Sequence, residues 1–398
     1  MTGQRFEVLD SWRGICAIGV TLLHGIIVSH VFGAPIIGNA WLFVDFFFVL
    51  SGFVISYAYF DKLTSMQSIQ TFIIRRFGRL WPLHVAMLAI LVIWESAIAT
   101  SVLILHLPVL PSDIFHDPWL TASSILANIA LIHAIGLGNL FTNIYAWNGP
   151  SWSISVEFYT CLIFALISVY GGRYASWWAA AAALVSVAVL AASDWGALPS
   201  GDYAIFRGIY GFIAGHFVWR AAKLRSLPAR FATIAEIAIV AGIIAYMALA
   251  NTGPIALLAP LFFGPAVWIF SAGRGAVSRL LGNPPFLKLG ALSYSIYMTH
   301  YVILRIGLTS AKAADHFLHT GIVTDYYVPG IGTAQFFNFG SRWLGDAFEI
   351  LYVAIVISVS ILTFRFIEMP ARDFFNKKAN ALSRTSTSAA MASGPGAL

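Results

Sequence analysis

Arg13 and His24 sit in one apolar run, WRGICAIGVTLLHG. Ionisable side chains inside a membrane span are costly, and each marks a candidate functional position. Eleven residues at about 100° each return to nearly the same helix face, about 20° apart, with a rise of about 16 Å. With Arg13 at the edge of a hydrocarbon core about 30 Å thick, His24 lies near its middle. An arginine at the mouth can hold an anion, and a histidine, with an ordinary pKa of about 6.5, can move a proton at depth. A second basic element is RRFGRLWPLH. Arg75, Arg76 and Arg79 stand three and four residues apart, which predicts convergence on one side of a helical turn. Guanidinium forks match phosphate oxygens. The competing reading is an anchor that snorkels to anionic headgroups. His84, two residues after Pro82, is placed just inside the membrane beside this cluster.

Two further stretches carry chemistry-bearing groups. In NGPSWSISVEFY, Pro150 and Ser151 open a helix that carries Glu157 into the apolar layer. An intramembrane carboxylate is costly unless paired. It can accept a hydrogen bond from an imidazole and fix its tautomer, or pair with an arginine such as Arg207 or Arg305. In LGALSYSIYMTH, Ser293, Tyr297 and His300 share a face. His300 lies about 16 Å into a helix that starts near Leu289, the depth expected for His24. Asp45, in WLFVDFFFVLSGF, is expected near the outer face, where it can meet a hydroxyl-bearing acceptor. Glu95 and His216 are read as structurally paired.

These residues need helices to hold them, and the composition supplies helices of one kind. Of 398 residues, 59% are hydrophobic and 10% charged, with a mean hydropathy of +0.81. A soluble domain has about 25% charged residues. The chain reads as an all-α polytopic membrane protein. Apolar windows predict ten spans at 13–33, 41–60, 80–103, 151–170, 175–193, 203–220, 231–250, 254–272, 289–308 and 347–367. With both termini cytosolic, only Arg207, Arg305, Lys312 and Arg342 of the 23 basic residues fall outside, as the positive-inside rule requires. This accounts for the net charge of +6 without nucleic acid. Residues 119–136 are expected to re-enter or lie at the interface, since a further span would invert every later loop. The N-terminal segment lacks a small-residue cleavage site and reads as an uncleaved span. The expected domain is 1–378, with 379–398 a disordered cytosolic tail. Cys16 and Cys161 lie in apolar segments and read as packing residues. No zinc spacing, phosphate loop or dinucleotide motif occurs, and no metal is expected.

In order along the chain, LDSWRGICAIGVTLLHG, FFFVLSGFVIS, RRFGRLWPLH, WSISVEF, GALSYSIYMTH and FIEMPARDFF resemble the motifs of the membrane acyltransferase-3 family. The ordered set extends over residues 9 to 373. The resemblance implies a membrane O-acyltransferase. The donor would be cytosolic acyl-CoA, usually acetyl-CoA. The acceptor would be a hydroxyl of a surface glycan or lipid-linked sugar at the bacterial cytoplasmic membrane. Carried over by position, Arg13 and His24 are an essential pair, and Arg75, Arg76 and Arg79 a CoA-phosphate cluster. Glu157 and His300 become active-site residues. Some members are thought to use a tyrosine four residues after the glutamate as an acyl carrier; here Cys161 occupies that position and Tyr159 lies only two residues on. Some carry a fused extracytoplasmic domain, which is not expected here. A secondary transporter of a sugar or organic acid is the rival reading, but no paired repeat with broken helices is seen. A non-catalytic scaffold in polysaccharide export would not need the histidines.

Overall fold

Ten helices occupy the ten apolar windows. The computed structural model describes residues 6–105, 120–135, 145–193, 203–225, 227–250, 254–328 and 332–392. The helices that fill the windows are α1 (Glu7–Leu23), α3 (Phe43–Tyr59), α4 (Met66–Leu105), α6 (Trp152–Tyr170), α7 (Ala175–Ala192), α8 (Ala204–Leu224), α9 (Ala229–Leu249), α10 (Ala259–Ser271), α12 (Pro284–Leu318) and α13 (Arg342–Thr363). Short helices α2 (Pro35–Gly38), α5 (Ala122–Ile129) and α11 (Ala276–Leu281) link them, and α14 (Met369–Ala392) follows α13. An antiparallel hairpin, β1 (Val323–Val328) and β2 (Gly332–Phe337), precedes α13. Among the described residues, six helical segments are long and apolar enough to cross a membrane. The protein is a multi-pass integral membrane protein.

Close packing follows from small residues, as is usual where lipid gives no hydrophobic drive between helices. The central helix α3 crosses α8 so tightly that a Cβ at Gly52 would fall 1.8 Å from the Phe212 carbonyl oxygen. In the reverse direction a Cβ at Gly215 would fall 1.9 Å from the Val49 oxygen. The glycine in VLSGF is therefore there for approach. The pair α1 and α12 meets in the same way: Cβ atoms at Gly14 and Gly290 would lie 2.6 Å from the Leu289 carbonyl carbon and 2.4 Å from the Asp10 oxygen. Burial sorts the bundle into layers. The α3 span is 67% buried, whereas those of α7, α9 and α13 are each 22% buried and turn apolar side chains outward.

Several expectations need correction. The first helix is Glu7–Leu23, not 13–33. It ends at His24, because the chain turns at Ile26 (φ 43°), Val28 and Phe337 hydrogen-bond to the neighbouring strand and loop, and Gly25 lies against the Glu349 carboxylate. The expected tail from 379 is helical as far as Ala392. Its residues pack on α4: Ala379 is fully buried, and Gln67 donates to the Leu382 oxygen at 3.1 Å. Helix α4 starts at Met66, fourteen residues before the expected span, and carries Pro82 within it. Residues 120–135 form only α5, eight residues long and about 12 Å by rise, plus turns, too short to cross a core of about 30 Å. Residues 106–119 and 136–144 of the outer loop expected at 104–150 lie outside the described residues, while the 309–346 loop contains the last turns of α12 and the hairpin.

Candidate active site

Helices α1 and α12 bring the two depth-matched histidines together. His24, capping α1, donates from Nδ1 to the Val20 oxygen at 2.9 Å. His300, on α12, donates from Nδ1 to the Ile296 oxygen at 3.2 Å. Carbonyl oxygens only accept, so each ring carries its proton on Nδ1. His300 Nε2 lies 3.3 Å from His24 Nδ1 and accepts a share of that proton. The arrangement leaves the Nε2 lone pair of His24 to take a proton from elsewhere. The Tyr352 hydroxyl donates to the His300 oxygen at 2.9 Å and fixes α13 beside the pair.

One turn of α12 from His300 lies a small cavity of about 40 Å³, bounded by α1, α3, α6 and α12. Arg13, Ser51, Glu157, Ser293 and Tyr297 line it. The lining ends at Tyr297, three residues short of His300, whose ring is 5.8 Å away between centroids. Phe47 closes on Tyr297 from α3 at 5.8 Å. Among the described residues Arg13, facing this space, has only a long 3.5 Å contact to Asp10.

The arginines of α4 do not converge as expected. Arg75 donates to Asn380 Oδ1 of α14 at 2.6 Å. Arg76 pairs with Glu157 at 2.6 Å. Arg79 has no hydrogen bond or ion pair among the described residues, and its electrostatic neighbours are Arg13, Arg76, Glu157 and Glu368. Neighbouring residues point about 100° apart on a helix, so α14 and α6 each draw one guanidinium to themselves. Glu157 therefore pairs with an arginine, though not with Arg207 or Arg305, and it meets no imidazole among the described residues. Ser51 donates to the same Glu157 oxygen at 3.2 Å.

Two expected site residues fall elsewhere. Asp45 has both oxygens on Arg207, at 2.8 and 2.6 Å, and is fully engaged in a buried fork. The fork ties its charge to Arg207, and Asp45 does not line the cavity beside the histidine pair. His84 donates to the Asn128 oxygen at 3.0 Å and stacks on His133 at 5.5 Å. It fastens α5 to α4 and does not reach the arginines' side of the helix. Glu95 pairs with Arg305 at 2.7 Å, and His216 bonds Ser56 and Ser176.

Besides Glu236, which accepts from the backbone N–H groups of Gly275 and Ser278, two more buried carboxylates lie outside the sequence-derived candidates. Glu368, in the π-helical turn Phe364–Glu368, accepts from Ser295 at 2.8 Å and faces Arg13 and Arg79 electrostatically. Such turns often occur at functional sites. Glu349 is buried with Oε2 unpartnered, and Oε1 accepts only from Ser29 at 3.4 Å. It lies against Gly25, next in sequence to His24. Like Glu157, both are carboxylates in or beside an apolar window.

The family model of an acyltransferase domain, acyltransferase 3, matches residues 6–365. The chain belongs to the acyltransferase 3 family. A curated relative, "Protein 2 in picA locus" of Rhizobium radiobacter, is 31% identical over 194 residues, 48% of this chain and 91% of the relative. No solved structure matches. As a member of the family the protein is an acyltransferase, and it takes an acyl donor and an acyl acceptor. The matched region includes both histidines, Arg13, the α4 arginines and Glu157.

Proposed function

We propose that this acyltransferase moves a short acyl group, acetyl in its simplest form, from cytosolic acyl-CoA to a glycan hydroxyl. The acceptor is a surface or exported polysaccharide or a lipid-linked sugar, and the membrane is the bacterial cytoplasmic one. The observation that carries the reading is the His24–His300 pair beside a cavity with Arg13 at its wall. Acyl transfer needs a base for the hydroxyl and cationic groups for the donor's phosphates. His24 Nε2 takes the proton of the acceptor hydroxyl as its oxygen bonds the thioester carbonyl carbon. The carbon–sulfur bond breaks, and the leaving thiolate takes that proton from the imidazolium as free CoA. His300 accepts from His24 Nδ1 and holds the ring in this tautomer. Arg13, Arg76 and Arg79 attract the diphosphate. Glu157 keeps Arg76 extended toward the cavity until the donor arrives.

The test is acylation of surface glycans in cells that express His24→Ala at wild-type membrane abundance, read as added mass by mass spectrometry. A loss on the order of 10²- to 10⁴-fold is expected for removal of a general base. Undiminished acylation removes His24 from the reaction. The added mass also names the acyl group and the sugar that bears it.

A further inference from the structure

A second cavity lies at the basic end of the bundle, apart from the histidine pair. It is an open groove of about 500 Å³ between the end of α3, the first turns of α4, and α14. Lys62, Arg75, Ser68, Thr71 and Ser383 supply its polar lining, and Tyr59 an aromatic wall. No carboxylate lines it. The acid next to Lys62, Asp61, is held by Lys223 at 3.0 Å. Arg75 donates only to the neutral Asn380 amide oxygen. Among the described residues neither cation of the groove is paired with a carboxylate, so two positive charges face it uncancelled.

We propose that this groove binds the 3′-phosphoadenosine end of the acyl-CoA donor. The inference rests on acyl-CoA being the donor. Its ground is order along one helix. From the groove toward the bundle centre α4 presents Ser68, Thr71, Arg75, Arg76 and Arg79, over about 16 Å of rise. Acyl-CoA carries its parts in the same order: the 3′-phosphate on adenosine at one end, the diphosphate next, and the thioester at the tip of a flexible arm. With Arg76 and Arg79 toward the centre for the diphosphate, Lys62 and Arg75 stand where the 3′-phosphate falls, and the Thr71 hydroxyl in the groove lining can donate to its oxygens. The Tyr59 ring, set edge-on to Phe72 at 4.9 Å, offers a face to the adenine. Helix α14 is a wall of this site. Gln67 and Arg75 tie it down, and Gly78 lets Phe375 close against α4.

The phosphate chemistry of the groove also suits an anionic lipid headgroup, and the test separates the two. The full chain is placed in nanodiscs of zwitterionic lipid, and radiolabelled acetyl-CoA is displaced with CoA or 3′-dephospho-CoA. CoA is expected to compete at least about tenfold better, the weight of one charge-assisted phosphate contact. In Lys62→Ala/Arg75→Ala the ratio falls to about one, and in Lys62→Ala, an exposed change that spares the fold, it falls severalfold. Equal competition by both compounds against wild type overturns the groove assignment and leaves the donor reading intact. No displacement by either compound overturns both. The measurement is repeated with phosphatidylglycerol in the disc and native mass spectrometry of retained lipid. If the double variant sheds retained lipid and keeps the CoA preference, the groove is a headgroup site and the inference fails.

Discussion

Each histidine of the central pair anchors its Nδ1 on a carbonyl one turn back in its own helix. The pair is therefore oriented by backbone, and no carboxylate is bonded to either ring among the described residues. His300 acts on His24 through one shared proton at 3.3 Å. His300→Ala leaves His24 with its Val20 anchor, so the expected loss is smaller than for His24→Ala, about 10- to 100-fold in kcat. Donor KM should hold, because His300 does not line the cavity. Single-turnover transfer from labelled acyl-CoA by purified variants checks this, and a loss equal to that of His24→Ala would make His300 an equal partner. The buried carboxylates divide by partner. Asp45, Glu95 and Glu157 each meet an arginine. Glu349 has none among the described residues, and an unpaired buried carboxylate costs free energy wherever it stands.

The helices that carry the histidines can approach only through glycine. Gly14 and Gly290 put α1 and α12 in backbone contact, and His24 and His300 lie ten residues further along each, about 15 Å by rise. Gly290→Val adds bulk where the Asp10 backbone already lies, so the helices must separate. Activity is expected to fall at least about tenfold, since misplacement by about 1 Å can cost about 10²-fold. Helical content by circular dichroism should remain near wild type. Wild-type turnover in Gly290→Val would show that the α1–α12 approach does not set the histidine distance. The arginines of α4 teach the complementary point. Their spacing is right for one face, yet α14 takes Arg75 and α6 takes Arg76, while Arg79 is bonded to no side chain among the described residues.

At the scale of the molecule the bundle is layered, with α3 at the centre and α7, α9 and α13 outside. Leu184 on α7 is 71% exposed and apolar, as a lipid-facing position demands. Leu184→Arg places a charge against hydrocarbon, at about 2.5–3.5 kcal/mol on insertion scales. The expected result is a lower membrane-inserted fraction on fractionation, with the histidine site untouched in molecules that do insert. Full insertion would argue that α7 faces protein instead, as in an oligomer. The end of the bundle opposite α14 is tied by the hairpin and by His30, whose ring nitrogen meets Asp346 at 2.7 Å. The last helix closes the basic end.

By itself the sequence determined the solvent of this protein and the helices that answer it. Apolar windows, charge asymmetry and costly intramembrane residues are local signals, and a bilayer leaves few alternatives to helices. The depth match of His24 with His300 was also legible, since rise per residue is fixed within a helix. Partner choice was not legible. Whether Glu157 meets an imidazole or Arg76, and whether Asp45 is free or forked by Arg207, depends on which helices face each other. So does the placing of His84 against α5, and of Glu349 beside Gly25. Helix facing is set by close contacts such as Gly52 on Phe212 and Gly14 on Leu289, which join residues far apart in the chain. Only the tertiary structure, where those backbones touch, decided which charges are spent on architecture and which face the cavity and the groove.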